Sequence, residues 1–373
     1  EQNAGLGWKM LMECLAAGRA VCLPGTALAS SKVATWGVYQ FGQHRKQFGI
    51  PLMKMEGVNE KWLDMLYQTW LIQCGVNLTN VLLEQGDKPA VISALMKQQT
   101  TERARDVINY GMDIHAGNAI CLGHSNFLQK YYQAAPIGIT VEGSNTLTRS
   151  LIVFGQGLNK SHPHIFPLLE SIMDDNLSNF KTHFKKMVGH TVGSYLKSFS
   201  PFGSELERQT RNFAAMANFL ALKGGALKKD QYLSGLVADY FSNIYLAYSV
   251  QWYQQQFQVS KVLTDYCVDR LMIENRVILG NILLNERGLK MLFFHLGKNG
   301  QDISFKRRKE VLNEVNKNSQ ILEHVKEDLY MEDNILQDLE LLGRYPEGSE
   351  EYKKVYDRVI NVGEYKNVIL KKT

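Results

Sequence analysis

Apolar residues recur at helical spacing along most of the chain, and no segment shows the strict alternation of a half-buried strand. From Leu63 onward the apolar positions form one predicted buried stripe of an amphipathic helix, made of Leu66, Trp70, Cys74, Leu78, Val81 and Leu82. Gly86 and Pro89 follow in the order expected where a helix stops. A second helix is predicted from about Pro89 to about Tyr110, where Gly111 would end it.

The pattern continues as helices on both sides of a change in composition. A helix is predicted from about Asn145, and the segment "GLNKSHPHIFPLLE", residues 157–170, then breaks the periodicity with two prolines. A long helix after residue 231 is expected to turn one face to the core, although an aromatic stripe on a membrane surface is the alternative. That face consists of Leu233, Val237, Tyr240, Ile244 and Tyr248. Long helices of this kind predict an all-α bundle.

The segment from about residue 301 has a different composition, rich in charged residues and asparagine. Its apolar positions are spaced like a short coiled-coil seam, at Val311, Val315, Leu322, Val325 and Leu329. We expect a peripheral helix or an arm that binds a partner, and a solvated helix is the alternative. The predicted domains are therefore 1–157, 158–300 and a charged helical tail at 301–373.

Composition and charge narrow the class of protein. The 373 residues are 45% hydrophobic and 21% charged, which is typical of a globular protein with about two or three domains. A formal net charge of +5 without a basic stripe among aromatic residues does not favour nucleic acid as a partner. The five cysteines include no CxxC pair, which indicates reduced thiols rather than a disulfide framework or a zinc site.

The sequence shows neither a signal or transit peptide nor a run of about eighteen apolar residues that could span a membrane. Its first residues, "EQNAGLGWKM", contain no initiator methionine at the start and enter a helical pattern at once. We therefore expect the chain to be a processed or truncated portion of a longer protein.

One carboxylate, Glu142, lies in a stretch that is otherwise apolar, small or hydroxylic. An acidic residue just before a helix is common, because free N–H groups and the helix dipole favour negative charge there. The alternative is a general base kept in a dry pocket. The stretch alone favours the first interpretation.

His162 and His164 form an HxH pair, but without a third ligand in register a metal site is not expected.

Three segments share their order and spacing with one known family. They are "GLGWKMLMECLAAGRAVCLP", "HRKQFGIPLMKMEG" and "MDIHAGNAICLGHSNFLQKYYQAAPIGITVEGSNTLTRSLIVFGQG". Together they resemble the C-terminal helical domain of acyl-CoA dehydrogenases, in particular the large bacterial-type fatty acyl-CoA dehydrogenases with an extra C-terminal helical domain. The resemblance covers residues 1–157 closely and 158–290 more loosely, and none is identified in 301–373. It implies a four-helix bundle followed by a second helical domain.

The resemblance changes the interpretation of Glu142. In this family a glutamate in a Glu-Gly loop removes the α-proton of an acyl thioester while the β-hydride passes to FAD, so Glu142 is implied to be the catalytic base. A carboxylate among Ile139, Val141 and Leu147 would be poorly solvated, as a base acting on a carbon acid requires. Gly143 would let the backbone approach the thioester without a Cβ in the way. Arg19 resembles an arginine that lines the thioester pocket.

A second motif, "RKQFG", is implied to bind FAD. In the family it reaches across a dimer interface to the FAD of the other subunit. Arg45 would donate a fork of hydrogen bonds to the pyrophosphate, and Gln47 and Phe48 would contact the cofactor. A solvated basic pair at a helix end is the alternative.

A third motif, "DIHAGNA", lies where relatives carry a glycine-rich turn near the adenosine half of FAD. The resemblance places Asp113, Ala116 and Gly117 at this contact, and Ser144 and Thr146 at the flavin beyond the base. The sequence departs from the family here, because alanines stand at positions 116 and 119 where glycine is usual. His115 also replaces a smaller residue. Two added methyl groups would weaken or shift a close backbone contact with phosphate.

The resemblance implies an FAD-dependent acyl-CoA dehydrogenase of fatty acid β-oxidation that forms trans-2-enoyl-CoA and passes electrons to an electron-transfer flavoprotein. A homodimer or larger assembly is expected, with the family's N-terminal helical and β domains supplied by the same or another polypeptide. The alternatives are a structural subunit that has lost flavin and an oxidase that uses oxygen. The expected location is the mitochondrial matrix, with bacterial cytoplasm at the inner membrane as the alternative. Peripheral membrane association is a further candidate interaction.

Overall fold

The computed structural model describes residues 7–87, 90–158, 162–296 and 302–360 and is dominated by helices. Within those ranges the strands amount to one short antiparallel hairpin, β1 (Lys46–Gln47) and β2 (Ile50–Pro51). The predicted all-α fold class is confirmed. In the same ranges, no helix has both the length and the apolar character needed to cross a bilayer.

The helices are numbered in chain order. They are α1 Gly7–His44, α2 Glu56–Glu84, α3 Ala90–His115, α4 Gly117–Ile120, α5 Gln129–Thr140, α6 Asn145–Leu147, α7 Ile165–Met173, α8 Leu177–Ser198, α9 Glu205–Ala221, α10 Gln231–Phe257, α11 Lys261–Asn285, α12 Arg287–Leu292, α13 Phe305–Lys317, α14 Ser319–Lys326, α15 Ile335–Arg344 and α16 Glu350–Val359. Short 3₁₀ turns cover Leu52–Lys54, Gly224–Lys228 and Phe294–Leu296. The helix predicted from Asn145 exists, and it continues beyond α6 as a π-helical segment, Thr148–Gln156.

The chain forms two compact units, each assembled from separate stretches. Unit 1 comprises Glu1–Cys22, Cys74–Gln99 and Thr140–Ser304, and unit 2 comprises Leu23–Gln73, Thr100–Ile139 and Phe305–Thr373. Helices α1, α2 and α3 each contribute residues to both units. The domain boundaries predicted from composition, near residues 157 and 300, stay a prediction.

Helix α2 is more deeply buried than the predicted single stripe. Trp62, Tyr67 and Trp70 are completely buried in unit 2, although they point to different sides of the helix. The indole N–H of Trp62 donates to the carbonyl of Thr35 at 3.0 Å, which satisfies the one polar group of that side chain. Because side chains on several sides of the helix are buried, residues 62–70 of α2 lie inside unit 2 rather than at its surface.

The predicted end of α3 at Gly111 is wrong, because the helix continues to His115. Gly111 is buried inside the helix, and a Cβ there would lie 3.2 Å from Met65 and 3.5 Å from both Val38 and Leu128. The glycine therefore allows neighbouring helices to approach closely. By contrast, α2 ends as predicted near Gly86, which has a φ of +89°, whereas Pro89 lies outside the described residues.

The C-terminal tail is helical, but the predicted continuous seam is wrong. Two separate helices, α13 and α14, meet at Asn318, whose side chain accepts a hydrogen bond from the backbone N–H of Gln320 and starts α14. Ile321 is buried in place of the predicted Leu322. The described part of the tail, residues 302–360, is not a simple solvated helix, since Lys32 of α1 donates to the carbonyl of Glu327 at 2.9 Å within unit 2.

The core of unit 1 includes the predicted face of α10. Leu233, Val237, Tyr240 and Ile244 are buried as expected, and only Tyr248 differs, with 39% of its surface exposed. A buried amide pair joins this helix to α11, where Asn243 donates to the side chain of Asn275 at 3.1 Å. The membrane-surface alternative for this stripe is therefore not supported.

His115, at the end of α3, connects three parts of unit 2. Its Nε2–H donates to the carbonyl of Ser125 at 2.9 Å, and its ring packs against Phe41 and Phe127 at centroid distances of 4.1 and 4.9 Å. Burial lowers the pKa of His115 to about 4, so the ring is neutral at pH 7. His115 thus has a structural role, because it packs the 121–127 loop onto α1.

We expect His115 to make unit 2 less stable in acid. The unfolded chain binds a proton near pH 6.5 and the folded chain only near pH 4, so the stabilisation is complete above pH 6.5 and falls as the pH drops through this window. The loss at pH 4.5 should be about 2 to 3 kcal/mol. Urea unfolding of the wild type and of His115→Phe at pH 7 and pH 4.5 would measure it. An equal pH dependence in both proteins would contradict the assignment.

Candidate functional site

Glu142 lies in a tight turn between α5 and α6. Its φ is +54°, and Gly143 follows with a φ of +98°, so two successive residues adopt left-handed backbone conformations. Glycine takes such a conformation freely, but a glutamate there costs roughly 1 kcal/mol or more. A strained residue of this kind persists only where the surrounding structure enforces it, which marks the turn as a candidate functional element.

The carboxylate of Glu142 is only partly accessible. Its Oε2 atom is buried without a hydrogen-bond partner among the described residues. Its Oε1 atom lies against Gly18 of α1, where a Cβ would be 2.9 Å away. The glycine therefore provides the space that the carboxylate fills. Buried acceptors are nearly always hydrogen-bonded in proteins, and an exception points to a ligand or a catalytic role.

The surroundings of this carboxylate differ from the expected aliphatic pocket. Val141 and Leu147 are 40% and 49% exposed, so neither encloses the carboxylate in a dry wall. The shielding comes instead from the backbone of α1 at Gly18. Within the described chain Glu142 also makes no hydrogen bond to an N–H group of α6, so it does not act as a helix cap.

Arg19 is the second charged residue beside the turn. Its Nε atom is buried and has no hydrogen-bond partner in the described part of the chain, as for Glu142 Oε2. Its Nη2 atom lies 3.8 Å from the position that a Cβ on Gly143 would occupy. Each side chain therefore leaves one buried polar atom without a partner in the described residues, and the Arg19 guanidinium beside Gly143 can donate to a ligand oxygen such as a carbonyl.

Lys97 of α3 supports the turn from inside and was missed by the sequence analysis. The residue is completely buried, and its Nζ donates to the carbonyl of Gly143 at 2.7 Å and to Asn145 Oδ1 at 2.6 Å. The hydroxyl of Thr148 donates to the same carbonyl at 3.2 Å. The sequence offers no distinct signal for it, since Lys97 directly follows the run "AVISALM" and begins the polar stretch "KQQTTE".

The "RKQFG" motif forms the hairpin of unit 2. Phe48 and Gly49 make its tip with φ values of +52° and +78°, and the Phe48 ring is 95% exposed. Arg45 starts the hairpin, where its carbonyl accepts from the backbone N–H of Leu52 at 2.9 Å, and Gln47 is exposed on β1. An exposed aromatic ring at the end of a tight turn is available to pack on another molecule.

Two contacts hold the residues on either side of Arg45. Lys46 pairs with Glu347 at 2.6 Å, and His44 is hydrogen-bonded to the Tyr352 hydroxyl at 3.2 Å. Both partners belong to the C-terminal tail. The hairpin is therefore supported by a segment about 300 residues further along the chain.

The "DIHAGNA" motif lines a cavity of about 460 Å³ in unit 2. Asp113 and Ala116 are among the lining residues, and Asp113 pairs with Lys61 at 2.6 Å. Ala116 has a φ of +53°, and a Cβ on Gly117 would meet nothing within 4 Å. The cavity is at the same end of unit 2 as the hairpin, because His115 packs on Phe41 near the end of α1.

The two alanines that depart from the family pattern have different surroundings. Ala119 is buried, so its methyl group belongs to the core, and only the methyl of Ala116 faces the cavity. Ser144 and Thr146 are exposed beside the Glu142 turn in unit 1. The predicted site residues thus form two sets, one in each unit.

The HxH pair gains an unexpected third histidine. The rings of His162 and His164 lie 5.2 and 5.3 Å from that of His190. His162 is nevertheless fully engaged, since its Nε2–H donates to Asn218 at 2.8 Å and its Nδ1 accepts from the backbone N–H of His164. Burial also lowers the pKa of His162. The described ranges contain no group of three or more ligands arranged to hold a metal ion.

Two family models match most of the chain. Residues 5–155 match "Acyl-CoA dehydrogenase, C-terminal domain", and residues 197–372 match "Acyl-CoA dehydrogenase, C-terminal, bacterial type". The second match includes most of the tail, for which the sequence analysis identified no resemblance. An acryloyl-CoA reductase (NADH) from Anaerotignum propionicum is 26% identical over 148 residues, which are 40% of this chain and 37% of that protein.

Solved structures share the fold. An acyl-CoA dehydrogenase complexed with FAD from Bacillus anthracis is 19% identical with a TM-score of 0.65, and the match covers 86% of this chain and 57% of that one. An acyl-CoA oxidase from tomato is 12% identical with a TM-score of 0.57, covering 92% of this chain and 54% of that one. The chain thus spans little more than half the length of these structural relatives.

We expect Gly18→Ala to displace the Glu142 carboxylate with little effect on the fold. The new Cβ would lie 2.9 Å from Oε1, which must move, whereas alanine favours a helix over glycine by roughly 0.5 to 1 kcal/mol. Gly25→Ala is the matched control, because a Cβ at that α1 position meets nothing within 4 Å. Crystal structures and thermal unfolding of both variants would check this. An unmoved carboxylate in Gly18→Ala would contradict it.

Proposed function

We propose that this chain, which belongs to the acyl-CoA dehydrogenase family, contributes the C-terminal helical domains of an FAD-dependent enzyme that forms trans-2-enoyl-CoA in fatty acid β-oxidation. The observation that carries the proposal is the Glu142 carboxylate, with a buried and unpartnered oxygen on a strained turn. A carboxylate oxygen without a hydrogen-bond partner in the described residues can accept a substrate proton without first breaking a hydrogen bond.

The residues present fit FAD as the cofactor. The cavity beside Ala116 has a volume of about 460 Å³, and it meets only one of the two methyl groups that depart from the family pattern. Arg45 would bind the pyrophosphate of the FAD in the other subunit of a dimer, and Phe48 and Gln47 would pack on that cofactor. Asp113 would contact the adenosine half of an FAD. The hydroxyls of Ser144 and Thr146 would contact the flavin. When bound, FAD would accept the hydride that leaves the β-carbon of the substrate.

The residues beside the turn have complementary roles. Glu142 takes the α-proton from the acyl thioester, and the electron pair of that C–H bond becomes part of the new double bond as the β-hydride leaves. Gly143 allows the thioester to approach the turn, because no side chain stands in the way. Arg19 lies beside this glycine, with its Nη2 atom 3.8 Å from the position of a Cβ on Gly143, and its guanidinium would orient the thioester. No water-derived nucleophile is needed for this elimination of two hydrogens.

The structural-subunit alternative is disfavoured by this turn. A protein that only supports an assembly has no physical reason to keep a strained glutamate with an unpartnered buried oxygen. Flavin absorbance of the native assembly distinguishes an FAD-dependent enzyme from a structural subunit. A colourless preparation without bound FAD would rule out the enzyme hypothesis. The oxidase alternative shares the base and differs in the electron acceptor. The electron-transfer flavoprotein, the homodimer, membrane association and the mitochondrial location all stay predictions.

Glu142→Gln should abolish α-proton removal while the fold and the bound FAD remain, because the amide keeps the shape of the side chain but cannot accept the proton. We expect exchange of the α-proton of a saturated acyl-CoA with deuterated water to fall at least about 10³-fold, a loss typical for removal of a general base. Mass spectrometry of the acyl-CoA measures this exchange in the full-length protein.

Glu84→Gln, at the exposed end of α2, serves as the control and should exchange the α-proton at the wild-type rate. Wild-type exchange in Glu142→Gln would show that another group is the base. No exchange in the wild type with FAD bound would overturn the proposed reaction itself.

Arg45→Ala should weaken FAD binding by about 10- to 100-fold, because charge-assisted hydrogen bonds are worth roughly 1.5 to 3 kcal/mol. Equilibrium dialysis of FAD against the full-length protein measures this loss, and thermal unfolding of the flavin-free protein should be unchanged. Arg344→Ala removes an exposed arginine elsewhere in unit 2 and is the matched control. Equal losses in both variants would indicate a general effect of charge and remove the assignment of Arg45.

A further inference from the structure

We propose that Lys97 is a positioning residue that fixes the Glu142–Gly143 turn and thereby holds the carboxylate in place for proton removal. The importance of that carboxylate rests on the function proposed above. The contacts of Lys97 themselves are independent of it. Lys97 lies on α3, and every residue involved in the argument belongs to unit 1.

The burial of Lys97 requires a strong compensating interaction. The side chain has no exposed surface, and lysine is almost never fully buried unless its ammonium group is hydrogen-bonded. Both of its contacts with the turn are short, at 2.7 Å to the carbonyl of Gly143 and 2.6 Å to Asn145 Oδ1. Hydrogen bonds from a charged donor are about twice as strong as neutral ones.

These two hydrogen bonds clamp the turn on both sides of Ser144. One acceptor precedes Ser144, and the other belongs to Asn145, the buried first residue of α6. Thr148, one turn into the same helical segment, adds a second donor to the Gly143 carbonyl at 3.2 Å. The left-handed conformation of Glu142 and Gly143 is therefore tied to the body of α3 rather than left to the loop itself.

The side chain of Glu142 depends on this clamp because its own contacts are few. Its Oε2 has no partner in the described ranges, so no hydrogen bond of that atom holds it. The position of the carboxylate is instead set by the backbone of the turn and by the space at Gly18. Without Lys97, Glu142 would relax toward an ordinary negative φ, and its carboxylate would move away from α1.

The test is Lys97→Met in the full-length protein, since methionine keeps the length and the apolar stem of lysine and removes its donors. We expect the rate of α-proton exchange and kcat to fall by about 10- to 100-fold, as for a reacting group displaced by about 1 Å. The KM for acyl-CoA should change less than about threefold. Hydrogen–deuterium exchange of the backbone at residues 141–147 should become faster, and this readout does not depend on activity.

Lys32→Met is the matched control. Lys32 is also buried and donates to a backbone carbonyl, that of Glu327 at 2.9 Å, but it lies in unit 2. It should lower thermal stability by an amount comparable to Lys97→Met while kcat and exchange at residues 141–147 stay unchanged. Should Lys97→Met fail to fold, Thr148→Val and Asn145→Ala each remove one contact of the clamp, and each should lower kcat by several-fold.

Different outcomes separate this inference from the proposed function. The role of Lys97 would be overturned if Lys97→Met, Thr148→Val and Asn145→Ala all exchanged the α-proton as fast as the wild type. The proposed dehydrogenase function would then remain intact. Absence of α-proton exchange in the wild type would overturn the function. Faster hydrogen–deuterium exchange at residues 141–147 in Lys97→Met would still show that Lys97 holds the turn.

Discussion

The contact between the Lys97 ammonium group and the Gly143 carbonyl constrains the candidate site more than any other interaction. A buried charge must be hydrogen-bonded, and here the acceptors belong to the turn that carries Glu142. The hydrogen bonds that offset the cost of burying the ammonium group also hold the turn in one conformation. The strained backbone, the unpartnered carboxylate oxygen and the space at Gly18 all depend on this turn keeping one conformation.

Glycines provide the complementary half of this architecture. Gly18 allows the carboxylate to lie against α1, and Gly111 allows α3 to approach its neighbours in unit 2. In both places, atoms of another element occupy the space that a side chain would take. The positions of those atoms therefore depend on the glycine as well as on their own element. Substitutions at such positions change geometry, whereas a glycine in open space such as Gly25 contributes only flexibility.

Much of the fold and part of the site could be predicted from the sequence. Helical spacing was sufficient for the all-α class, and the core face of α10 followed from the positions of Leu233, Val237, Tyr240 and Ile244. Gly111 was misinterpreted because a glycine that stops a helix and one that permits close packing look the same in a single sequence. Local pattern also could not show that Ile321 would be buried in place of Leu322, since the break between α13 and α14 shifts the buried face.

The site residues that were missed act over long sequence distances. Lys97 contacts a turn 46 residues away, and no local periodicity connects them. The same holds for His190, which meets His162 only after the chain has folded. Several residues identified by resemblance to the family, such as Glu142 and Phe48, lie on turns. The groups that support those turns are ordinary lysines, threonines and histidines whose importance comes from folded-state contacts.

The support of the hairpin by the tail has a consequence for biosynthesis. His44 and Lys46, on either side of Arg45, obtain their partners from Tyr352 and Glu347, which the ribosome adds about 300 residues later. During translation the hairpin therefore lacks both contacts until residues 347 and 352 have been synthesised. A premature stop codon before residue 347 would remove both supports while leaving the "RKQFG" motif itself untouched.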